Sequence, residues 1–374
     1  MVRITPFYTR LAHVLISIIS LFYIAIVGQT VLAPILFGLL FSLLLLPFAS
    51  FLESRLRFPR ALSSITVLVS LILIISSLVF LLLSQLSELT GDIPAFRQQF
   101  LASTTSIQDW VSHTFHINNS KQIQYINSAA SEALSKGTSL VGETLLSVSS
   151  LMLFFVFTFL YTFFILLYRR LLFRFVVALF SEEDMGIVNE AIGQIRYIVK
   201  KYVAGLLIQM LIVTTIACIA FEIIGIKYAF LLGLITGIFN VIPYIGIFTS
   251  LLLSSLVTFA TMGSADVLFV VFTVVGIHLV DSNFVMPKIV GSKVKINPLA
   301  ALLGLIIGEM AWGIKGMFLS IPTIAVCKIV FDRVEGLKPW GIFLGEEEVT
   351  VQGEEVAVVK KRRKTKIKNE DTQV

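Results

Sequence analysis

Long uncharged apolar runs constrain this chain before anything else does. From Leu62 to Leu83, and again from Val148 to Leu167, no charged residue interrupts the sequence. Each run is close to the 20 or so residues that an α-helix needs to cross roughly 30 Å of hydrocarbon. Only 14% of the 374 residues are charged and 57% are hydrophobic, whereas a soluble domain carries about a quarter charged. With a mean hydropathy of +0.93, no water-soluble core could enclose this surface. The runs do not alternate apolar with polar residues, so the spans are expected as helices and not as barrel strands. The expected fold is an all-α polytopic membrane protein. Two of its elements are re-entrant or short helical hairpins, and a small external helical domain is added.

Basic residues set the orientation, because Lys and Arg collect on the cytoplasmic side of bacterial membrane proteins. Arg3 and Arg10 precede a first apolar segment, Leu11–Val27, which lacks a small-residue cleavage site and reads as an uncleaved span. Arg55, Arg57 and Arg60 separate the second segment, Ile35–Phe51, from the third, and Arg169, Arg170 and Arg174 follow the fourth. The expectation is a bacterial inner membrane with both termini cytoplasmic. Residues 1–83 hold three spans, and 84–145 form the external domain, whose apolar positions (Ile107, Trp110, Val111, Ile123, Ile126) keep helical spacing. His113 and His116 there read either as solvated or as half of a metal site that nothing completes. Residues 146–170 hold the fourth span. A cytoplasmic amphipathic linker, 171–201, carries a helix start at Ser181 before Glu182–Asp184. Residues 202–340 form a transport core. The tail, 341–374, is charged and expected to be disordered, with the basic block Lys360–Lys364 suited to anionic lipid heads and not to nucleic acid. Cys218 and Cys327 stand alone, without disulfide or metal spacing.

The chemistry gathers in the C-terminal half. Two apolar segments, Tyr228–Ile242 and Ile247–Met262, are too short to span comfortably and are divided by Asn240-Val241-Ile242-Pro243-Tyr244-Ile245-Gly246. Pro243 lacks an amide proton and Gly246 permits unusual dihedrals, so the chain is expected to break and reverse here. Broken backbone at membrane depth is tolerated where protein or a watery cavity satisfies it. Asn240 and Tyr244 are then hydrogen-bonding candidates in a pathway; the other reading is a packing turn. A further span, Val267–Pro287, carries His278, Asp281 and Asn283. Ionisable groups in such runs are functional candidates, with Asp281 holding a proton or cation and His278 modulating it, unless both simply reach water at an interface. Beyond Lys288 comes a second pair of arms, Pro298–Trp312 and Ile314–Asp332, with Gly304, Gly308, Gly313 and Gly316 at or beside the turn and Pro322 in the returning arm. Glu309 and Lys315 near this tip either pair with each other or bind a cation, or form a solvated turn. The two hairpins are expected to enter from opposite sides, as in an inverted structural repeat.

In this half the sequence resembles the autoinducer-2 exporter family. The resemblance rests on the Asn240–Gly246 motif, Asp281-x-Asn283-x3-Pro287-x3-Gly291, Asn297-Pro298-Leu299 and Gly313-x2-Gly316-x4-Ser320-Ile321-Pro322, taken in order. Pro47, Leu52-Glu53, Arg55 and Pro59-Arg60 fit as well, so the likeness covers about residues 10–340. Ile247, Glu309 and Lys315 depart from the pattern. The resemblance implies about eight membrane segments, an external helical domain and a homo-oligomer, with a pentamer as the first expectation. It also implies export of autoinducer-2 or sodium/proton antiport.

The chain carries no phosphate-binding Gly-x4-Gly-Lys-Ser/Thr loop, so an ion gradient is the expected energy source. It carries no His-Glu-x-x-His or Gly-x-Ser-x-Gly motif either, so an enzyme is not expected. No cofactor is expected beyond a transported sodium ion or proton, and the expected partners are membrane lipid and a small polar metabolite or monovalent cation. The alternative is a membrane-anchored scaffold or sensor acting through the external domain.

Overall fold

The computed structural model describes residues 7–91, 150–242, 245–262, 264–291 and 296–346. Among these, all regular structure is helical: α1 (Phe7–Val27), α2 (Gln29–Arg55), α3 (Arg60–Gly91), α4 (Ser150–Ala178), α5 (Met185–Ile224), α6 (Ala229–Phe239), α7 (Ile245–Thr261), α8 (Ser264–Val280), α9 (Pro298–Trp312), α10 (Ile314–Arg333) and α11 (Lys338–Leu344). Six helical stretches are long and apolar enough to cross a membrane, and four shorter apolar helices join them. The external domain, with His113 and His116, and the basic block of the tail lie outside the described residues.

The two N-terminal apolar segments, expected as separate spans, are joined through one residue. Gly28 sits at φ −79°, ψ 3°. Its N–H donates to Ile24 O at 2.8 Å and its carbonyl accepts from Leu32 N at 2.9 Å. One residue carrying helical hydrogen bonds on both sides cannot reverse a chain, so α1 and α2 form a single bent rod. The segment 171–201, expected as an amphipathic linker, holds the end of α4 and the start of α5. A 3₁₀ turn at Glu182–Asp184 begins with Ser181, whose hydroxyl donates to Asp184 Oδ2 at 2.6 Å. From Met185 the helix then runs without interruption for 40 residues, about 60 Å, into the apolar segment. At the other end, where the tail was expected from residue 341, α11 folds back so that Gly341 packs on Asp332.

Helix α5 is the axis. One buried cluster joins it to α6, α7 and α8 through Val213, Ala217, Phe221, Leu231, Val257 and Val274. Another joins it to α2 and α10 through Tyr202, Leu206, Leu40 and Leu319. Helices α2, α3 and α4 meet around Ala49, Val67 and Leu166. Small residues set the closest approaches, as expected where lipid tails remove the hydrophobic drive between helices. Gly38 lies on Tyr161 and Thr162, Gly233 on Cys218, and Gly308 on Gly316. Ser63 Oγ donates 2.7 Å to the Ala49 carbonyl, and Arg169 grips Glu53 with both terminal nitrogens at 2.8 and 2.5 Å. Outward, large apolar side chains such as Phe80, Phe248 and Ile223 are exposed, the surface of a protein whose solvent is lipid.

Candidate functional site

The end of α5 dictates the first hairpin. Gly225, at φ 81°, closes the helix in a left-handed conformation that glycine adopts without penalty, and Ile226 N returns to Phe221 O at 3.0 Å. The chain therefore turns back on α5 at once. Helix α6 descends along it with Gly237 against Thr214 and Met210. It stops at Asn240, and α7 returns from a turn in which Gly246 lies against the Asn240 backbone. Pro243 and Tyr244 lie outside the described residues.

The second hairpin enters from the opposite end of α5. Asn297 caps α9: its Oδ1 accepts from Ala300 N at 2.7 Å, and Pro298 occupies the first helical position, where its missing N–H costs nothing. Backbone N and Nδ2 of Asn297 also bond Leu344 and Phe343 carbonyls, which ties the start of α9 to α11. At the tip, Gly313 holds φ 61°, ψ −141°, a conformation essentially reserved for glycine. Gly308 and Gly316 then bring α9 and α10 into backbone contact. Pro322 is buried inside α10. At the far end of α10, Arg333 Nη2 bonds Glu190 Oε1 (3.0 Å) and Gln194 Oε1 (2.6 Å), near the start of α5. The hairpins thus approach from opposite ends of one helix.

Asp281 lies where α8 changes character. The helix widens into π geometry at Asp281–Val285 and again at Pro287–Gly291, a form found mostly as short bulges and often at functional positions. Pro287 cannot supply an amide proton, and the exposed Asn283 donates to the Leu279 carbonyl at 2.8 Å. Asp281 is 4% exposed and Gln209, on α5, is 5% exposed. The Gln209 carboxamide donates to both Asp281 oxygens at 3.0 and 2.9 Å, and Asn240 Nδ2 donates to Oδ2 at 2.9 Å. Both oxygens accept bonds from these carboxamides. Removing such a group from water costs several kcal/mol unless it is paired or hydrogen-bonded. Among the described residues no cation pairs with it; carboxamides alone hold it.

Beside the carboxylate is a cavity of about 10 Å³, lined by Thr236, Asn240, Ser250, His278 and Asp281 among others. That is room for about one water-sized particle. His278 faces it as the shared-face spacing suggests, but its Nε2 lies 3.3 Å from Ser282 Oγ, and the described bonds to Asp281 come from the carboxamides. On the other side of the Asn240 turn is a cavity of about 950 Å³, where Val241 and Ile242 from the first tip face Ile314 and Lys315 from the second, with Phe37, Phe41 and Phe318. The two tips therefore share one space, almost wholly apolar.

The structure brings together Asn240, Gly246, His278 and Asp281, and leaves others apart. Lys315 Nζ sits 4.6 Å over the Phe154 ring. Glu309 is exposed, and no described ion pair joins it to Lys315. Gly308, Gly313, Gly316, Pro298 and Pro322 shape the second hairpin and do not line the carboxylate cage. Sequence reading missed Gln209. The available signal was a lone carboxamide in the apolar run Tyr202–Ile224, an expensive residue to bury without a partner.

Residues 15–336 match a protein family described as AI-2E family transporter. YrrI of Bacillus subtilis (strain 168) is 39% identical over 129 residues, 34% of this chain and 36% of YrrI, so that match spans about a third of the relative. YhhT of Escherichia coli (strain K12) is 21% identical over 89% of this chain and 94% of its own length. The AI-2 transport protein TqsA of the same strain is 23% identical over 84% and 90%.

Proposed function

The chain belongs to the AI-2E transporter family, and from that premise we propose that it is an ion-gradient-driven secondary transporter whose coupling site is Asp281. The observation that carries this reading is a buried carboxylate held by Gln209 and Asn240, without a cationic partner among the described residues, at the tip of a helical hairpin. Ionisable groups within membrane segments mark ion and proton pathways by default. The adjoining space suits a sodium ion or a proton-bearing water far better than a metabolite. A polar track supports the same reading: on α7, Ser254 and Thr258 follow Ser250 at helical four-residue spacing, with buried hydroxyls that have no described partner.

The positive-inside rule places the arginines at the ends of α2 and α4 in the cytoplasm of a bacterial inner membrane. On that orientation the first hairpin is re-entrant from outside and the second from inside. Gln209 then lies about 22 Å from the outer end of α5. Exchange of sodium for protons by alternating access is the reaction these features support. Export of a small polar metabolite such as autoinducer-2 is the second reading. It is favoured by the name of TqsA and by the volume of the larger cavity, and opposed by that cavity's apolar wall. A homo-oligomer, with five copies as the first expectation, is proposed from the family resemblance and is checked by the native mass.

The test is flux in proteoliposomes under imposed sodium and proton gradients, with autoinducer-2 as a parallel solute. Wild type should move cations, and Asp281→Asn should lower that flux at least about 10-fold, the scale of losing one essential charge-dependent contact. Cation flux unchanged in Asp281→Asn would remove the coupling assignment. Wild-type vesicles passing no tested solute would instead favour a membrane-anchored scaffold acting through the external domain.

A further inference from the structure

Helices α2, α4 and α5 enclose a groove of about 710 Å³ on the side of α5 near its N-terminal half. Leu39, Leu43 and Leu46 line it, one stripe of α2 at the i, i+4, i+7 spacing that keeps residues on one face. Arg169, Arg170, Arg174 and Arg196 gather at the same groove, and no acidic residue lines it. The nearby acid, Glu53, is already engaged by both terminal nitrogens of Arg169. Arg196 stacks 5.0 Å over the Phe173 ring, which leaves its charge uncancelled. Arg170 and Arg174, one helical turn apart, have no described anionic partner.

We infer that this groove is a binding site for an anionic phospholipid, with the phosphodiester between Arg170 and Arg174 and an acyl chain along the leucine stripe of α2. Charge complementarity selects the head, since clustered guanidinium groups hold phosphate oxygens in their planar fork. The apolar wall selects a lipid over a soluble phosphate, because a free anion gains nothing from leucine. Basic pockets between transmembrane helices on the cytoplasmic side commonly take such head groups. The lipid fills the gap between α4 and the N-terminal half of α5, the helix that carries Gln209 beyond its midpoint, and so braces the axis of the molecule.

Native mass spectrometry of the full chain in neutral detergent, titrated with phosphatidylglycerol or with phosphatidylcholine of the same acyl chains, tests the site. Phosphatidylglycerol should bind about 30-fold more tightly, the preference expected from two arginines acting on one head group. Arg170→Gln with Arg174→Gln should erase that preference, whereas Arg60→Gln, outside the groove, should keep it. Leu39→Trp, which fills the acyl channel and leaves every arginine in place, should weaken both lipids and carries the test if the double variant does not elute as one folded species. Equal affinity for the two lipids, a preference retained by the double variant, unchanged binding in Leu39→Trp, or competition by glycerol phosphate as strong as by phosphatidylglycerol would each overturn the assignment.

Discussion

At the scale of single residues, the buried carboxylate Asp281 and the carboxamides around it carry the most weight. Gln209 supplies two of the three described hydrogen bonds to Asp281. Gln209→Leu leaves a buried carboxylate short of donors, a loss of about 1–3 kcal/mol. A lowered Tm in detergent together with at least tenfold weaker cation flux is expected, and normal flux in this variant would count against the cage. Glu53 and Arg169 are a different case. They are 18% and 20% exposed and bonded bidentately, so Glu53→Gln should cost about 1–2 kcal/mol. A double-mutant cycle with Arg169→Gln should show most of that as coupling; additive effects would mean the pair contributes little. Asp281 and Asn240 were legible in the sequence because a charge or an amide at a break stands out. Gln209 was not, because 72 positions separate it from Asp281 and only folding makes them neighbours.

Among the elements, the two hairpins were the most legible. Pro, Gly and Asn at fixed positions announce a helix stop, and arms of about 15 residues announce a short helix. The observed arms, α6 with α7 and α9 with α10, follow those breaks closely. Their packing follows from glycine. A Cβ at Gly316 would collide with the Gly308 carbonyl oxygen, and backbone atoms cannot step aside as a side-chain end can. Gly316→Leu should therefore destabilise the fold by about 1–3 kcal/mol or more, read as a drop in Tm, with Gly336→Leu, where a Cβ meets nothing, as the neutral comparison. An equal effect at both positions would show that close approach is not what the glycine supplies. The N-terminal pair shows the complementary case. Both apolar segments are present, but hydropathy is blind to whether Gly28 bends a rod or reverses it.

For the whole molecule, the defining arrangement is that the hairpins enter from opposite ends of α5 and meet at one cavity, with Val241 and Ile242 on one side and Ile314 and Lys315 on the other. The proposed alternating access would require these tips to separate and close. With Cys218 and Cys327 first replaced by Ala, Val241→Cys joined to Ile314→Cys by a short bifunctional reagent should stop cation flux. Each single cysteine treated alike should retain it. Undiminished flux through the bridged protein would sink the moving-tip mechanism while leaving the Asp281 assignment standing. At the same cavity the Lys315 ammonium rests on Phe154 of α4, so a cation in an apolar wall is met by an aromatic face.

The sequence by itself determined that this chain is helical and lives in a membrane, because backbone groups in hydrocarbon must bond within their own segment and apolar length is a local quantity. It also marked the breaks within the two C-terminal hairpins, since the asparagine and glycine there act within a turn of themselves. Tertiary structure alone decided that Gln209, Asn240 and Asp281 share one carboxylate cage, that both hairpin tips open on one cavity, and that four arginines from α4 and α5 line one groove with α2. Each of these is a meeting of side chains from helices far apart in sequence. Such meetings depend on the small residues that set how closely, and at which level, the helices pack.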